Sequence, residues 1–237
     1  MKLGVNVDHV STLREARGTL YPDPVEGALL AESAGCDSIV AHLREDRRHI
    51  KERDIIGIKE AIKIPLNLEM SVNKNIVSFA QEICPYQSTF VPERRQELTT
   101  EGGIDLVKNY KKVYDVIKKL KKSGIRVSLF IDPLIVQIKA AKDLGADIIE
   151  INTGRFSETK TVRSSEVEIR KITKAAIFSK KQGFFVSAGH GLDYENVKEI
   201  SKIEEIEELN IGHSIMSRSV FVGIVSAVRE MFFLIGK

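Results

Sequence analysis

The five histidines of this 237-residue chain are the residues best suited to acid–base chemistry near neutral pH. They are His9, His42, His49, His190 and His213. Each lies at or just past the carboxyl end of a short apolar segment typical of a β-strand, and none lies in a segment predicted to be helical. Because an imidazole exchanges protons close to neutrality, histidines brought together at strand ends would form a proton-transfer site.

Two glutamates interrupt apolar strand-like segments near their carboxyl ends. Glu69 lies in the segment 65–70 and Glu150 in the segment 147–152. Burial would raise the pKa of such a carboxyl group toward neutrality and suit it to proton transfer. Alternatively, a lone glutamate in a strand can form a structural ion pair with a lysine or arginine of a neighbouring strand. No metal is predicted, because the histidines lack the H-x-H and H-x-x-x-H spacings that are usual in zinc sites.

Glycines beside two of the histidines indicate a site for an anion such as phosphate. Gly191 follows His190, and Gly212 precedes His213. Glycines let backbone N–H groups approach an anion, and barrels often bind phosphate after the seventh and eighth strands. The arginines after the first two strand-like segments either provide a second anion site or form a solvated run of charge; they are Arg14, Arg17, Arg44, Arg47 and Arg48.

Eight short apolar segments, separated by segments of helical periodicity, are predicted to be β-strands. They span residues 3–8, 38–43, 65–70, 88–92, 126–131, 147–152, 184–189 and 206–212. Mostly continuous apolar runs are typical of strands buried on both faces of a parallel sheet. An open doubly wound sheet is the alternative, but its G-x-G-x-x-G turn does not follow the first segment. We therefore predict an α/β fold, a (β/α)8 TIM barrel forming a single domain over residues 1–237.

Composition narrows the class of protein. The chain has 36 lysines and arginines against 33 aspartates and glutamates, an excess too small to indicate nucleic-acid binding. It has two cysteines and no uncharged apolar run of the roughly 20 residues that span a membrane, so we expect a cytoplasmic protein with no membrane partner. Two alternatives to a two-substrate enzyme remain open: a sugar-phosphate isomerase or epimerase with one phosphate site, and a basic module that binds RNA.

Motifs along nearly the whole chain resemble the pyridoxine 5'-phosphate synthase family. They are the segments 6–10, 39–50, 67–70, 91–93, 99–103, 149–154, 188–192 and 210–214, which read NVDHV, IVAHLREDRRHI, NLEM, VPE, TTEGG, IEINTG, AGHGL and NIGHS. The resemblance implies a (β/α)8 barrel with extra helices, a homo-octamer, and no metal or organic cofactor. It also implies a ring-closing condensation of two phosphorylated small molecules, 1-deoxy-D-xylulose 5-phosphate and 3-amino-2-oxopropyl phosphate.

The same resemblance implies roles for individual residues. His42 and Glu69 would accept protons, and His190 would donate one. Glu150 would stabilise a transition state. The aminoketone phosphate would be held by Asn6, Arg17, Gly191, Gly212 and His213. The pentulose phosphate would be held by Asp8, His9, Arg44, His49 and Thr99, with Thr100 as the alternative to Thr99.

Overall fold

The computed structural model describes residues 1–93 and 102–236, and within them eight parallel strands close into a barrel. The strands are β1 (Lys2–Asn6), β2 (Ser38–Leu43), β3 (Leu66–Met70), β4 (Gln87–Phe90), β5 (Arg126–Ile131), β6 (Ile148–Asn152), β7 (Phe185–Gly189) and β8 (Glu208–Ile211). Each strand pairs with the next in sequence, and β8 closes the barrel against β1. The predicted single-domain (β/α)8 fold is confirmed, because all eight predicted strands are present.

Eleven helices surround the barrel in the described part of the chain. They are α1 (Asp8–Arg17), α2 (Pro24–Ser33), α3 (Glu52–Ala61), α4 (Lys74–Ile83), α5 (Tyr110–Lys122), α6 (Ile135–Leu144), α7 (Gly154–Ser157), α8 (Val162–Lys181), α9 (Val197–Ser201), α10 (His213–Val222) and α11 (Ile224–Leu234). Single helices follow β2, β3, β4, β5 and β7, whereas pairs of helices follow β1, β6 and β8. The extra helices implied by the family resemblance are therefore present.

Local capping residues explain where several helices begin and end. The Asp23 side chain accepts a hydrogen bond from Val25 N at 2.9 Å at the start of α2, and Asn73 accepts one from Asn75 N at 2.9 Å at the start of α4. Helix α6 ends at Gly145, whose φ of 77° is readily adopted by glycine. Such ends return the chain to the next strand through short connections, so the longer connections lie at the carboxyl end of the barrel.

The barrel wall separates an apolar outer layer from a polar interior. Strand residues such as Leu3, Ile39 and Leu68 are fully buried in the apolar core between strands and helices. Alternate residues point inward, where Thr89 Oγ1 donates a hydrogen bond to Asn67 Oδ1 at 2.8 Å. The prediction of mostly continuous apolar strands is therefore too simple, because the inner faces of several strands carry polar groups.

Two of the five histidines lie on helices, contrary to the prediction. His9 is the second residue of α1, and His213 is the first residue of α10. The buried face of α1 includes Asp8, Ser11 and Arg14. Because these buried residues are polar, the helix lacks the apolar stripe by which sequence periodicity reveals a helix.

The most apolar part of the sequence forms the last two helices. Gly223 separates α10 from α11, and Ala227 and Met231 of α11 are fully buried. Phe221 and Phe233 are each 82% exposed, so the apolar character of this segment is only partly used within the chain. None of the helices in residues 1–93 and 102–236 combines the length and the apolarity that crossing a bilayer requires.

Candidate active site

Three ionisable side chains converge at the carboxyl end of the barrel. Asp8 begins α1, His42 lies in β2 and Glu69 lies in β3, and one ligand atom of each lies within 4.8 Å of the others. His42 is opposite Glu69 in the register of β2 and β3, and His42 Nδ1 lies 3.9 Å from Glu69 Oε2. This distance is longer than a hydrogen bond, so both atoms are available to a third group.

The Asp8 carboxylate is held in place by β1 and β2. Its Oδ1 accepts a hydrogen bond from the backbone N of His42 at 2.8 Å, and its Oδ2 accepts one from Asn6 Nδ2 at 2.9 Å. Asn6 Oδ1 in turn accepts a hydrogen bond from the backbone N of Asp8 at 2.9 Å. Asn6 therefore fixes Asp8, and Asp8 fixes the end of the strand that carries His42.

Glu93, which lies just beyond β4, contacts the other nitrogen of the same imidazole. Its Oε1 lies 3.0 Å from His42 Nε2, and its Oε2 accepts a hydrogen bond from the backbone N of Glu45 at 2.8 Å. The sequence analysis assigned no role to Glu93. Its position just past a strand end, the criterion that selected the histidines, is the signal that could have identified it.

Burial controls the protonation of the two strand glutamates. Burial, and after it the negative charges of Glu150 and Asp8, raise the pKa of Glu69 well above its ordinary value. Burial also raises the pKa of Glu150 to about 7, although a hydrogen bond from Asn210 Nδ2 at 2.7 Å opposes the rise. Both carboxyl groups can therefore exchange protons nearer to neutrality than an exposed glutamate can.

His190 follows β7 and has a backbone φ of 81°, which is rare for a residue other than glycine. Thr153 Oγ1 lies 2.8 Å from the carbonyl oxygen of Gly189 and 2.6 Å from that of His190, and so supports this turn. A Cβ atom at Gly154 would lie 2.6 Å from His190 Cδ2, so the ring needs a glycine beside it. Burial lowers the pKa of His190, which makes its protonated form a stronger acid. Gly191 follows with a φ of 75°.

His9 and His213 face each other where α10 begins. Their ring centroids are 4.9 Å apart. Gly212 packs against Asn6, because a Cβ atom at this glycine would lie 2.8 Å from Asn6 Cβ. Burial lowers the pKa of His9, an effect that the charge of Asp8 opposes. His9 Nδ1 is buried without a hydrogen-bond partner among the described residues, so it is available to a ligand.

Arg44 borders a cavity of about 340 Å³, which Glu93 connects to His42. Arg47, Asn73 and Glu93 also line the cavity. The Arg44 guanidinium is buried and donates hydrogen bonds to the Asp46 carboxylate, from Nε at 3.2 Å and from Nη2 at 3.3 Å. The Asp46 carboxylate therefore neutralises part of the positive charge in this loop. Arg44 is neither an unpaired ligand for an anion nor part of a fully solvated run of charged residues.

His49 lies in the same loop and faces His42. The two ring centroids are 6.2 Å apart. His49 Nδ1 accepts a hydrogen bond from the backbone N of Ile50 at 2.8 Å, which leaves Nε2 to carry the ring proton. Burial lowers the pKa of His49, so its neutral form is favoured. The ring can donate a hydrogen bond from Nε2 to a ligand.

The two arginines of α1 stand outside the cluster. Arg14 is buried and binds both oxygens of Asp54, at 2.8 Å and 2.7 Å, and it also donates to the carbonyl oxygen of His49 at 3.2 Å. Arg14 thus anchors the loop that carries His49 and is not available to an anion. Arg17 is exposed in the last turn of α1, about 12 Å along the helix axis from His9.

The structure thus brings together most of the predicted site residues. The contacts above link His9, His42, His49, Glu69 and Asp8, and the charge of Glu150 acts on Glu69. His213 and Gly212 adjoin His9 and Asn6. Arg17 does not join them. Thr99 and Thr100 lie outside the described residues.

Asp8, His42 and Glu69 also form a group that could hold a metal ion. An imidazole and two carboxylates are ligands that zinc accepts. Histidine spacing could not reveal this group, because its donors come from the ends of three different strands. Glu93 bound to the far nitrogen of His42 resembles the outer-shell carboxylate of many metal-bound histidines.

Fold and site define this chain as a (β/α)8 barrel with acid–base groups at the carboxyl end of its strands, the position of the active site in enzymes of this fold. Residues 3–237 match the family described as "Pyridoxal phosphate biosynthesis protein PdxJ". The chain belongs to the PdxJ family, as the resemblance of its motifs implied.

Known relatives agree with this assignment, and a solved structure shares the fold. The chain is 52% identical over 234 residues to a pyridoxine 5'-phosphate synthase of Sulfurihydrogenibium sp., covering 98% of this chain and 96% of the relative. It is 50% identical over 235 residues to one of Coxiella burnetii, covering 99% and 98%. KGPDC from Streptococcus mutans shares the fold, with a TM-score of 0.67, 14% identity and coverage of 99% and 97%.

Proposed function

We propose that this chain condenses 1-deoxy-D-xylulose 5-phosphate with 3-amino-2-oxopropyl phosphate to give pyridoxine 5'-phosphate, inorganic phosphate and water. Membership of the PdxJ family supports the reaction class. The observation that carries the proposal is the convergence of His42 and Glu69, two groups that can exchange protons, with Asp8 at the barrel mouth. A reaction that joins an amine to a ketone and then closes a ring needs several proton transfers, and one acid–base pair would not suffice.

His42 and Glu69 are the proton acceptors of this proposal. The amine attacks the pentulose ketone to form an imine with loss of water, and removal of a proton from carbon then gives the enamine that closes the ring. His42 Nδ1 and Glu69 Oε2 are 3.9 Å apart, so an atom of the substrate can be within reach of both. The raised pKa of Glu69 makes its carboxylate a stronger base than an exposed one.

His190 and Glu150 act on the other side of the barrel. His190, whose pKa is lowered by burial, donates a proton to the oxygen that leaves. Glu150, whose pKa is raised by burial to about 7, is held by Asn210 and stabilises positive charge that develops on the imine nitrogen. Glu150 is buried and His190 is partly buried, which strengthens their electrostatic effect.

Two phosphate groups require two anion sites at the mouth. The aminoketone phosphate is assigned to Asn6, Gly191, Gly212 and His213, around the start of α10, together with Arg17. The pentulose phosphate is assigned to Asp8, His9, Arg44, His49 and Thr99. His9 Nδ1 and His49 Nε2 are free to contact it, and Arg44 lines the adjacent cavity. Holding both molecules in one orientation lowers the barrier to their reaction.

The proposal includes an assembly and a location. We propose a homo-octamer in the cytoplasm that uses neither metal nor organic cofactor and binds no nucleic acid. The exposed side chains of Phe221 and Phe233 support an interface between copies of the chain. Light scattering of the purified protein tests the assembly, and a mass other than eight chains would contradict it.

The test of the function is synthesis by purified protein. Incubation with both substrates should release pyridoxine 5'-phosphate, identified by mass spectrometry, and equimolar inorganic phosphate. His42→Ala, Glu69→Gln and His190→Ala should abolish synthesis while leaving the circular dichroism spectrum unchanged. Conversion of either substrate alone, without product from the pair, would instead show a single-substrate isomerase or epimerase and would refute the proposal.

A further inference from the structure

Glu93 contacts His42 at Nε2, whereas Glu69 lies nearest to the other ring nitrogen, Nδ1. Glu93 Oε1 lies 3.0 Å from His42 Nε2, and these two side chains are only 6% and 7% exposed. The second oxygen of Glu93 accepts a hydrogen bond from the backbone N of Glu45 at 2.8 Å. Because both oxygens are occupied, the carboxyl group cannot rotate, and its contact with the imidazole has a fixed direction.

The charge of Glu93 decides which nitrogen of His42 carries the proton. Its surroundings favour an ionised carboxylate, because Oε2 already accepts a hydrogen bond from the backbone N of Glu45 and Oε1 lies against His42 Nε2. An ionised carboxylate accepts hydrogen bonds and cannot donate them. Nε2 of a neutral His42 must therefore carry the proton, and Nδ1 must present its lone pair to Glu69.

We infer that Glu93 is a positioning residue that keeps the ring proton of His42 on Nε2, so that Nδ1 is the nitrogen that accepts a proton in the reaction. The inference rests on the proposed function and deepens it. The inference assigns Glu93 no contact with the substrate or with the reacting atoms. It acts through His42, as a buried carboxylate orients the histidine of a hydrolytic triad.

A purely structural role for Glu93 is the competing explanation. Through Glu45, Glu93 ties the loop after β2 to the end of β4. The variant Glu93→Gln separates the two roles. Its amide oxygen can still accept from Glu45 N, whereas its amide nitrogen, placed against His42 Nε2, donates a hydrogen bond and favours the tautomer with the proton on Nδ1. Glu93→Gln therefore keeps the contact with Glu45, but it moves the basic nitrogen of His42 from Nδ1 to Nε2.

Nitrogen NMR of protein labelled with ¹⁵N-histidine measures the tautomer directly, with the His42 signals identified by their loss in His42→Asn. We expect the wild-type protein to carry the proton on Nε2 at pH 8 and Glu93→Gln to carry it on Nδ1. In steady-state assays kcat of Glu93→Gln should fall roughly 10²- to 10⁴-fold, the range that a wrong histidine tautomer costs, and KM for each substrate should change little.

The control is Glu52→Gln. Glu52 pairs with Arg47 in the same loop at 2.6 Å and does not contact His42, so its loss should leave kcat and the tautomer unchanged. A wild-type protein with the proton on Nδ1, or a Glu93→Gln protein that keeps its kcat or keeps the wild-type tautomer, would overturn the inference. The wild-type spectrum decides even if Glu93→Gln does not fold. The spectrum is recorded without substrate, so its result does not depend on whether the proposed reaction is correct.

Discussion

Asn210 Nδ2 donates a hydrogen bond to Glu150 Oε2 at 2.7 Å, which links β8 to β6 across β7 inside the barrel. The inner face of β7 makes room for this contact, because a Cβ atom at Gly189 would lie 2.7 Å from Glu150 Oε1. Gly189, which precedes His190, therefore also leaves room for the Glu150 carboxyl group. One strand end thus positions two of the groups proposed to act on the substrate.

Glu150→Gln should make the protein less active and more stable at alkaline pH. The pKa of Glu150 is raised from 4.5 to about 7 in the folded protein, so its neutral form is favoured by folding. The stability it contributes is present below pH 4.5 and is lost as the pH rises toward about 7, a loss of about 3 kcal/mol. Glutamine stays neutral and does not incur this loss.

Thermal unfolding at pH 5 and pH 8 measures the effect of Glu150→Gln. The variant should gain several degrees over the wild type at pH 8 and much less at pH 5. Its kcat should fall roughly 100-fold, as when a transition-state contact is lost. Unchanged kcat would remove Glu150 from the proposed mechanism, and an equal gain at both pH values would contradict its raised pKa.

Glu208→Gln should stabilise the protein in the same way without a loss of activity. Burial raises the pKa of Glu208 to about 7. Its position opposite Lys2 places it at the amino end of the strands, away from His42 and Glu69, and its charge raises the pKa of Glu150 less than burial does. Its stabilising contribution is likewise lost as the pH rises from 4.5 toward about 7. The midpoint of unfolding at pH 8 should rise by several degrees, and kcat should stay within twofold of the wild type.

The neighbouring glutamate provides the control for this prediction. Glu207 is partly exposed and pairs with Lys180 at 2.9 Å. Glu207→Gln should therefore produce no gain in stability that depends on pH. If Glu208→Gln lost activity as Glu150→Gln does, the division of the barrel into an active carboxyl end and a structural amino end would be incorrect.

The sequence predicts the barrel and much of its site because both leave local patterns. Apolar runs identified all eight strands, and polar residues at strand ends identified His42 and Glu69. What it could not predict depends on contacts between residues far apart in the chain. Glu93 meets His42 across 51 positions, and no periodicity or motif spacing reports such a pair.

The arginines show the same limit. Charge alone could not show that Arg14 has a structural role and Arg44 borders the cavity, since both are basic and both follow strand ends. Arg14 is buried against Asp54, whereas Arg44 lines the cavity beside the site. A buried partner 40 positions away, invisible in the sequence, converts an anion-binding candidate into a structural anchor.

Asp54→Asn should destabilise the protein and disturb the proposed pentulose phosphate site. Arg14 and Asp54 are 2% and 4% exposed and form two hydrogen bonds, so the substitution leaves the buried guanidinium with only the partly exposed Glu15 carboxylate as its countercharge. Breaking such a pair costs about 3–5 kcal/mol. Arg14 also holds the His49 carbonyl, so KM for the pentulose phosphate should rise.

Denaturant unfolding and steady-state kinetics together test this prediction. Glu15→Gln is the matched control, because Glu15 touches Arg14 at 3.0 Å but is partly exposed and also bonds Lys51 at the surface. It should cost at most about 1 kcal/mol. A loss from Asp54→Asn no larger than that of the control would show that the buried pair does not anchor α1.

Activity should survive removal of metal ions, and added Zn²⁺ should inhibit. The proposed chemistry uses only side-chain acids and bases, whereas Asp8, His42 and Glu69 offer a ligand group that Zn²⁺ would occupy in competition with substrate. After dialysis against a chelator, kcat should equal that of the untreated protein. Zn²⁺ binding, measured against a chromophoric chelator, should weaken at least roughly tenfold in Glu69→Gln and should be unchanged in Glu208→Gln. Loss of activity on chelation with recovery on adding a metal would instead make the ion a part of the enzyme.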